Sequence, residues 1–226
     1  MKVGTDGVLL GAWVPAENPR TVLDIGTGTG LIALMMRQRF PAARITALEP
    51  HPGAAADARE NIRRAAAGRT IDLREITLQD YLNTETEAKF DLIVSNPPFF
   101  RNSMPAVNAG RQMARHADTL TCEALLNAAD RLTDQGILAA IYPRDMWEEI
   151  QSLMSGHGLR LAAQQTVRPA PHKTPHRILF AAHRRERPRH LHAAEDLSIE
   201  TGVRHEYTPE FKRLVAPFYL NIEDEA

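Results

Sequence analysis

The sequence predicts an α/β protein with a mostly parallel central sheet, helices on both faces and an antiparallel hairpin at one edge. Three observations predict it. Short apolar runs rich in β-branched residues alternate with longer helical stretches from Thr21 to about Ser155, the pattern of parallel strands joined by crossover helices. The first such unit is a strand, a glycine turn and a helix in direct succession, which is how a nucleotide-binding unit opens. Beyond Ser155 two strand-like runs follow without a full helix between them, and strands joined that way pair antiparallel.

Taken in order, Asp6–Trp13 is a short apolar helix ended by Pro15 and the Glu17-Asn18-Pro19 turn. Thr21–Ile25 is a strand, Gly26-Thr27-Gly28-Thr29-Gly30 the turn, and Leu31–Phe40 the helix after it. Arg44–Leu48 is the next strand, closing on Glu49-Pro50, and alanine-rich Ala54–Ala67 the next helix. Ile71–Ile76 is a strand, Gln79–Leu82 a loop or short helix, and Phe90–Ser95 an interior strand. Cys122–Leu132 is a helix capped by Thr121 or Thr119, followed by a strand over Gly136–Tyr142. Asp145–Met154 is a helix that stops near Gly156-His157-Gly158. Strands Leu159–Val167 and Arg177–His183 then flank a loop of Pro, His and Lys.

A chain of 226 residues, 43% of them hydrophobic, is enough for one substantial core and a single domain over 1–226. It divides into an N-terminal helix (1–20), the alternating core (21–183) and a basic linker with a tail (184–226). A net charge of -1 provides no global attraction to nucleic acid or membranes, so any polyanion must be held by a local patch. The single cysteine, Cys122, excludes an intramolecular disulfide and fits a reducing, cytoplasmic compartment. Cys122 falls in an amphipathic helix, where a packed thiol is the usual reading. No targeting segment is expected, because Val8–Val14 is too short for a signal or membrane helix.

The chemistry concentrates where the strand Phe90–Ser95 ends in Asn96-Pro97-Pro98-Phe99. A following proline forces both Asn96 and Pro97 into extended conformations, and neither proline carries an N–H. Acceptors therefore dominate the strand end: the Asn96 amide oxygen and the Pro97 carbonyl, with Phe99 offering an apolar ring face. That set suits a planar group bearing an –NH2. The competing reading is a strand terminator with a turn, and on its own the tripeptide does not decide between them.

The glycine turn and Glu49 add a nucleotide. Asp24-Ile25-Gly26-Thr27-Gly28-Thr29-Gly30 directly follows a strand and opens a helix, so its backbone can touch a ligand. Glu49, at the end of the next strand, can accept from both hydroxyls of a ribose. Asp80 is placed to take an adenine amino group and Asp24 the ammonium of an amino-acid moiety, although both also suit ordinary turn and cap acids. Gly28-Thr29-Gly30-Leu31-Ile32-Ala33 also fits a dinucleotide fingerprint, so a nicotinamide-dependent oxidoreductase is the rival from another class. Against it, Asp24 would face a pyrophosphate unfavourably and no hydride-transfer acid/base pair is recognisable.

Together, Asp24–Gly30, Glu49, Asp80 and Asn96–Phe99 resemble the motif series of class I S-adenosylmethionine-dependent methyltransferases that modify exocyclic amines. The opening Met1–Trp13 and the terminal Tyr207–Leu220 are similar to the bacterial family that methylates N6 of adenine 37 in a valine tRNA. The match runs from Met1 to about Leu220. It implies a Rossmann-like class I methyltransferase fold, S-adenosylmethionine as cofactor and the anticodon loop of tRNA as partner. It also implies catalytic roles for Asn96, Pro97 and Phe99, and a cofactor site of Lys2, Gly4, Thr5, Asp24, Gly26, Gly28, Gly30, Glu49, Asp80 and Asn96. In-line transfer from the sulfonium to the amine is the implied reaction, with no strong base. Related chains usually carry residues before the Met1-Lys2-Val3-Gly4 segment, so either the start is misassigned or one wall of the cofactor pocket is expected to be missing. The family often has tyrosine at the positions of Phe99 and Phe100, and stacking needs only the ring. Asn-Pro-Pro-Phe also suits a guanine N2 amine or a glutamine amide.

RNA requires cations. Lys173, Arg177, Arg184 and Arg185 belong to a basic last third, and Arg101, Arg111 and Arg115 to a loop after Phe99 that is long enough for a substrate flap. A solvated linker is the equal alternative for Arg184–Arg189. His172/His176 and His190/His192 have metal-like spacing, but no cysteine or carboxylate cluster joins them, and no metal is expected.

Overall fold

The computed structural model describes residues 4–65, 70–98, 120–184 and 196–220. Helix α1 (Thr5–Trp13) precedes β1 (Thr21–Ile25), α2 (Leu31–Arg39), β2 (Arg44–Leu48) and α3 (Pro52–Arg64). Then come β3 (Ile71–Arg74), α4 (Leu78–Thr84) and β4 (Phe90–Ser95). Helix α5 (Cys122–Asn127) leads into β5 (Leu132–Pro143), α6 (Trp147–Gly156) and the pair β6 (Arg160–Arg168) and β7 (Arg177–His183). A two-residue strand β8 (Leu197–Ser198) and helix α7 (Pro209–Val215) complete the described chain.

The eight strands form one sheet in the order β3-β2-β1-β4-β5-β7-β6-β8. Strands β1 to β5 run parallel, and β7 is antiparallel to both β5 and β6. The hairpin is as expected, but β8 pairs parallel with β6 and takes the outermost place. Two residues are too few to leave a period in the sequence.

Successive residues of the central strands alternate between two cores, because side chains on a pleated strand point to opposite faces. Leu92 and Val94 pack on the face that α1, α2 and α7 cover, with Ile137, Ala139 and Ile141. Ile93 packs on the other face, against α5 and α6, with Leu138, Ala140 and Tyr142. Chain order reverses at β1, whose neighbours are β2 on one side and β4 on the other, and ligands of open α/β sheets bind at such a switch point. The Ser95 hydroxyl donates to the Ile25 carbonyl at 2.8 Å, fixing the carboxyl ends of β1 and β4 to each other. At the opposite ends Asp91 accepts from the Arg20 and Thr21 amides and from the Thr21 and Thr133 hydroxyls. Burial alone would raise its pKa, but these donors outweigh burial and hold the carboxyl below its usual value.

Boundaries differ where local geometry intervenes. Helix α3 begins at Pro52, a residue suited to a first helical turn. The expected helix from Cys122 to Leu132 is α5 followed by a 3-10 turn over Ala128–Arg131. Strand β5 starts at Leu132, and its register against β4 shifts between Phe90 and Leu92. Gly136 permits that shift, since a Cβ there would lie 2.6 Å from the Phe90 carbonyl oxygen. The obstacle is backbone and cannot swing aside. Gly136→Ala is therefore expected to cost about 1–3 kcal/mol, read as a lowered denaturant midpoint; an unchanged midpoint would show that the two strands can separate freely.

Candidate active site

The carboxyl ends of β1, β2 and β4, the start of α1 and the last third of the chain enclose a cavity of about 1350 Å³. The glycine turn forms one wall. Gly26, Gly28 and Gly30 have φ of 70°, 60° and 84°, values that strain any residue with a Cβ. The Gly26 and Thr27 amides both donate to the Leu48 carbonyl at 2.9 Å, so the turn is anchored on the end of β2. Gly26 and Gly28 line the cavity. Gly30 instead backs onto Ala58 of α3, with a built Cβ 3.6 Å away.

Glu49 is 8% exposed and faces the cavity. Its carboxylate accepts from the Gly28 amide at 2.9 Å and the His51 amide at 3.0 Å. Each oxygen keeps acceptor capacity for a ligand hydroxyl. Ile76, Thr77, Leu78 and Gln79 form the adjoining wall, with Ile76 and Leu78 its apolar members.

Two acids assigned to the cofactor from the sequence do not line the cavity. Asp24 shares a pleat face with Val22, opposite Leu23 and Ile25, and is fully buried beneath the turn. Its Oδ2 accepts from the Thr27 hydroxyl at 2.5 Å, while Oδ1 is buried without a partner. Asp80 lies within the first turn of α4: the Thr77 hydroxyl donates to its carboxylate at 2.7 Å, and its amide donates back to Thr77 at 3.1 Å. This is a capping arrangement, and Gln79 rather than Asp80 reaches the wall.

Burial raises the Asp24 pKa to about 7, against the lowering effects of the Thr27 hydroxyl and a backbone bond at Ala33 and with a further rise from Glu49. In the unfolded chain this carboxyl ionises near pH 4. The folded state holds its proton longer, so the contribution is intact below that value and is lost as pH rises through about 7. Asp24→Asn removes the titration. The stability of the wild type relative to this variant is expected to fall between pH 4 and 7 and then level off, as thermal melts across that range would read. A pH-independent difference would show that Asp24 stays ionised.

Asn96 is half-buried, Pro97 is buried, and both line the cavity beside Pro98. Helix α1 meets them through Gly7, where a Cβ would sit 3.8 Å from the Asn96 amide nitrogen and 3.1 Å from Leu31. Gly4 and Thr5 also line the cavity, as the sequence suggested. Lys2, Phe99, Arg101, Arg111, Arg115 and Arg185 lie outside the described residues.

The candidate RNA cations divide. Arg177 pairs with Asp6 at 2.8 Å and donates to the His176 carbonyl, tying β7 to α1. Arg184 is paired with Asp130. Both are thus engaged with carboxylates of the protein itself, whereas Lys173 is exposed on the turn between β6 and β7. Among the described residues no group of three His, Cys, Asp or Glu is placed to hold a metal.

The sequence did not indicate the far wall. It comprises Pro169, His176, Ile199, Glu200, His205, Tyr207, Phe211 and Tyr219, drawn largely from the stretch read as linker and tail. Thr208 followed by Pro209 was a legible helix start, since the Thr208 hydroxyl accepts from the Phe211 amide and proline suits the first turn.

Comparison with known proteins gives consistent matches. The model of the methyltransferase small domain matches residues 3–146. A tRNA1(Val) (adenine(37)-N6)-methyltransferase of Porphyromonas gingivalis is 44% identical over 97% of this chain and 89% of its own length. Proteins of the same name from Bacteroides thetaiotaomicron and Yersinia enterocolitica are 41% and 40% identical over 99% and 98% of this chain, and over 92% and 87% of their own lengths. Among solved structures, a predicted O-methyltransferase from Agrobacterium tumefaciens superposes with a TM-score of 0.72 at 21% identity, covering 94% of this chain and 96% of that one. The T. thermophilus 16S rRNA N2 methyltransferase, solved with AdoMet and guanosine, gives 0.55 at 20% identity, covering 81% of this chain and 44% of that one. These two share the fold.

Proposed function

We propose, from the premise that this chain belongs to the tRNA1(Val) (adenine(37)-N6)-methyltransferase family and carries its methyltransferase small domain, that it methylates the exocyclic N6 of adenine 37 in a valine tRNA. The observation that carries the reading is the shared cavity. Asn96 and Pro97 open onto the same space as Glu49 and the glycine turn, which is the juxtaposition a transfer between a nucleoside cofactor and an amine requires. Membership of a methyltransferase family leaves the nicotinamide alternative without support.

The cavity fits S-adenosylmethionine. The positive-φ turn leaves room where side chains would intrude, Glu49 presents acceptors for ribose hydroxyls, and Ile76 and Leu78 provide an apolar wall for adenine. Gly26, Gly28, Glu49, Gln79, Gly4 and Thr5 would hold the cofactor, with Asp24 bracing the turn from beneath. When bound, the cofactor supplies an electrophilic methyl group on a sulfonium.

The protein's own contribution is at the amine. An aromatic amine is a poor nucleophile because its lone pair is delocalised into the ring. The Asn96 side-chain oxygen and the Pro97 carbonyl would accept its two hydrogens, favour a pyramidal nitrogen and stabilise the positive charge that grows there. The backbone that carries both acceptors is held before substrate arrives: prolines restrict it, and the Ser95–Ile25 bond holds the strand end. Phe99 is assigned the stacking of the target base. Lys173 and the arginines beyond the described residues are assigned to phosphate contact. No described helix is long and apolar enough to cross a membrane, and we place the activity in the cytoplasm.

Nucleoside mass spectrometry after incubating tRNA with the protein and labelled S-adenosylmethionine tests the reading. Labelled N6-methyladenosine is expected. Labelled methylguanosine, or label in protein, would replace it with the guanine N2 or glutamine alternative.

A further inference from the structure

The cavity is larger than the roughly 300–1,000 Å³ typical of a site for one small ligand, and its rim differs in chemistry from its floor. Asn96 and Pro97 lie inside, half-buried and buried, whereas His205 is exposed and Tyr219 is 43% exposed. Tyr207 is half-buried, its ring 5.2 Å from that of Phe211, which is buried in the core. The rim is thus backed by packed structure. Tyr219 lines the same cavity as Tyr207, and burial, then the Tyr207 phenol, raise its pKa.

The stretch carrying His205 and Tyr207 is cross-linked by its own hydrogen bonds. Glu200 and Tyr207 pair across a short hairpin, the Thr201 amide donates to the Glu206 carbonyl at 2.9 Å, and the Thr208 amide to the Ile199 carbonyl at 3.0 Å. His205 holds φ of 67°, a conformation histidine adopts at some cost, and its amide donates to the Glu200 carboxylate at 3.0 Å. The one acid on this wall is therefore engaged in shaping the turn. Among the described lining residues none is Lys or Arg. This wall therefore offers a phosphate no Lys or Arg among its described residues, but it offers a flat ring two tyrosines and a histidine.

We propose that His205, Tyr207 and Tyr219 form a nucleobase-stacking subsite for a nucleotide flanking the methylated adenine. The inference rests on the methyltransferase reading of the floor. The target amine must descend to Asn96, so the rim meets its neighbours in the strand. Unpaired loop bases splay out onto aromatic side chains at little cost.

The test uses an anticodon stem–loop RNA in three forms: intact, abasic just before the target adenine, and abasic just after it. Tyr219→Ala and Tyr207→Ala are each expected to lower kcat/KM on the intact RNA by roughly 5- to 100-fold, the equivalent of one lost base stack. Cofactor affinity should be unchanged, and the Phe variants should behave like wild type. On one of the two abasic RNAs the loss should nearly vanish, because the ring there has nothing to cover. Equal losses on all three RNAs, or a parallel loss of cofactor affinity, would overturn the subsite. Tyr219 is exposed, so its variant remains informative if Tyr207→Ala fails to fold. An aminopurine reporter at the flanking position separates the two readings. Quenching by wild type but not by Tyr219→Ala, without methyl transfer, would retain the subsite and sink the methylation reading. Transfer without quenching or coupling would sink the subsite alone.

Discussion

Asn96→Ala is expected to bind S-adenosylmethionine nearly as wild type does and to lose methyl transfer by at least about a hundredfold. In the proposed reaction the amide oxygen is one of two acceptors for the amine, and the other, the Pro97 carbonyl, is backbone and survives the substitution. What is removed is one preorganised dipole aimed at a nitrogen that becomes positive only as the new bond forms. Such a group acts on the transition state far more than on the ground state. The loss should therefore fall on kcat, with the KM for tRNA moving little. The site's rigidity supports a large effect: Pro97 is buried, Ser95 is bonded to Ile25, and Gly7 lets α1 close up to the Asn96 amide. The small alanine leaves space that water enters, but a mobile water is a poor substitute for a fixed acceptor. Single-turnover transfer of labelled methyl, alongside equilibrium cofactor binding, separates chemistry from affinity. Near-normal turnover would remove Asn96 from the mechanism.

The parts of this site that could be read from the sequence are those that chain connectivity fixes. Asn96 and Glu49 each directly follow a run that is unmistakably a strand, so their place at the carboxyl edge of the sheet needed no tertiary knowledge. The burial of Asp24 also had a signal: it alternates with Leu23 and Ile25, so the pleat turns it to the α1–α2 side and buries it under the turn. Asp80 carried a similar signal, Thr77 three residues before it, which is the spacing of a helix cap. Other features had no local signature. Arg177 meets Asp6 across 171 residues of chain, and nothing near either residue in sequence announces a carboxylate partner for that arginine. The far wall is of the same kind. His205, Tyr207 and Tyr219 reach the cavity because α7 packs against α1 and the chain leading into the Glu200–Tyr207 hairpin pairs with the end of β6, and neither contact leaves a period in the sequence.

Glu49→Ala is expected to weaken cofactor binding by at least about a hundredfold. A charged acceptor facing two ribose hydroxyls contributes roughly 1.5–3 kcal/mol for each hydrogen bond, and about 1.4 kcal/mol is tenfold in affinity. A second effect adds to the first. The same carboxylate holds the Gly28 and His51 amides, so its removal frees two donors at the edge of the cavity and loosens the turn that frames the ligand. Glu49→Gln separates the two contributions: it keeps one acceptor oxygen, loses the charge and puts an NH2 that cannot accept in place of the other oxygen, so its affinity should fall between those of wild type and alanine. Titration of S-adenosylmethionine by calorimetry gives the dissociation constants directly. The rise in melting temperature with added cofactor, which follows the ratio of ligand concentration to its dissociation constant, gives them independently. For Glu49→Ala that rise should be almost absent at concentrations that saturate the wild type, while Asn96→Ala should show it in full. The two variants thus divide the cavity into a part that holds the cofactor and a part that acts on the amine. If both lost affinity equally, that division would be wrong, and Asn96 would be a cofactor ligand first.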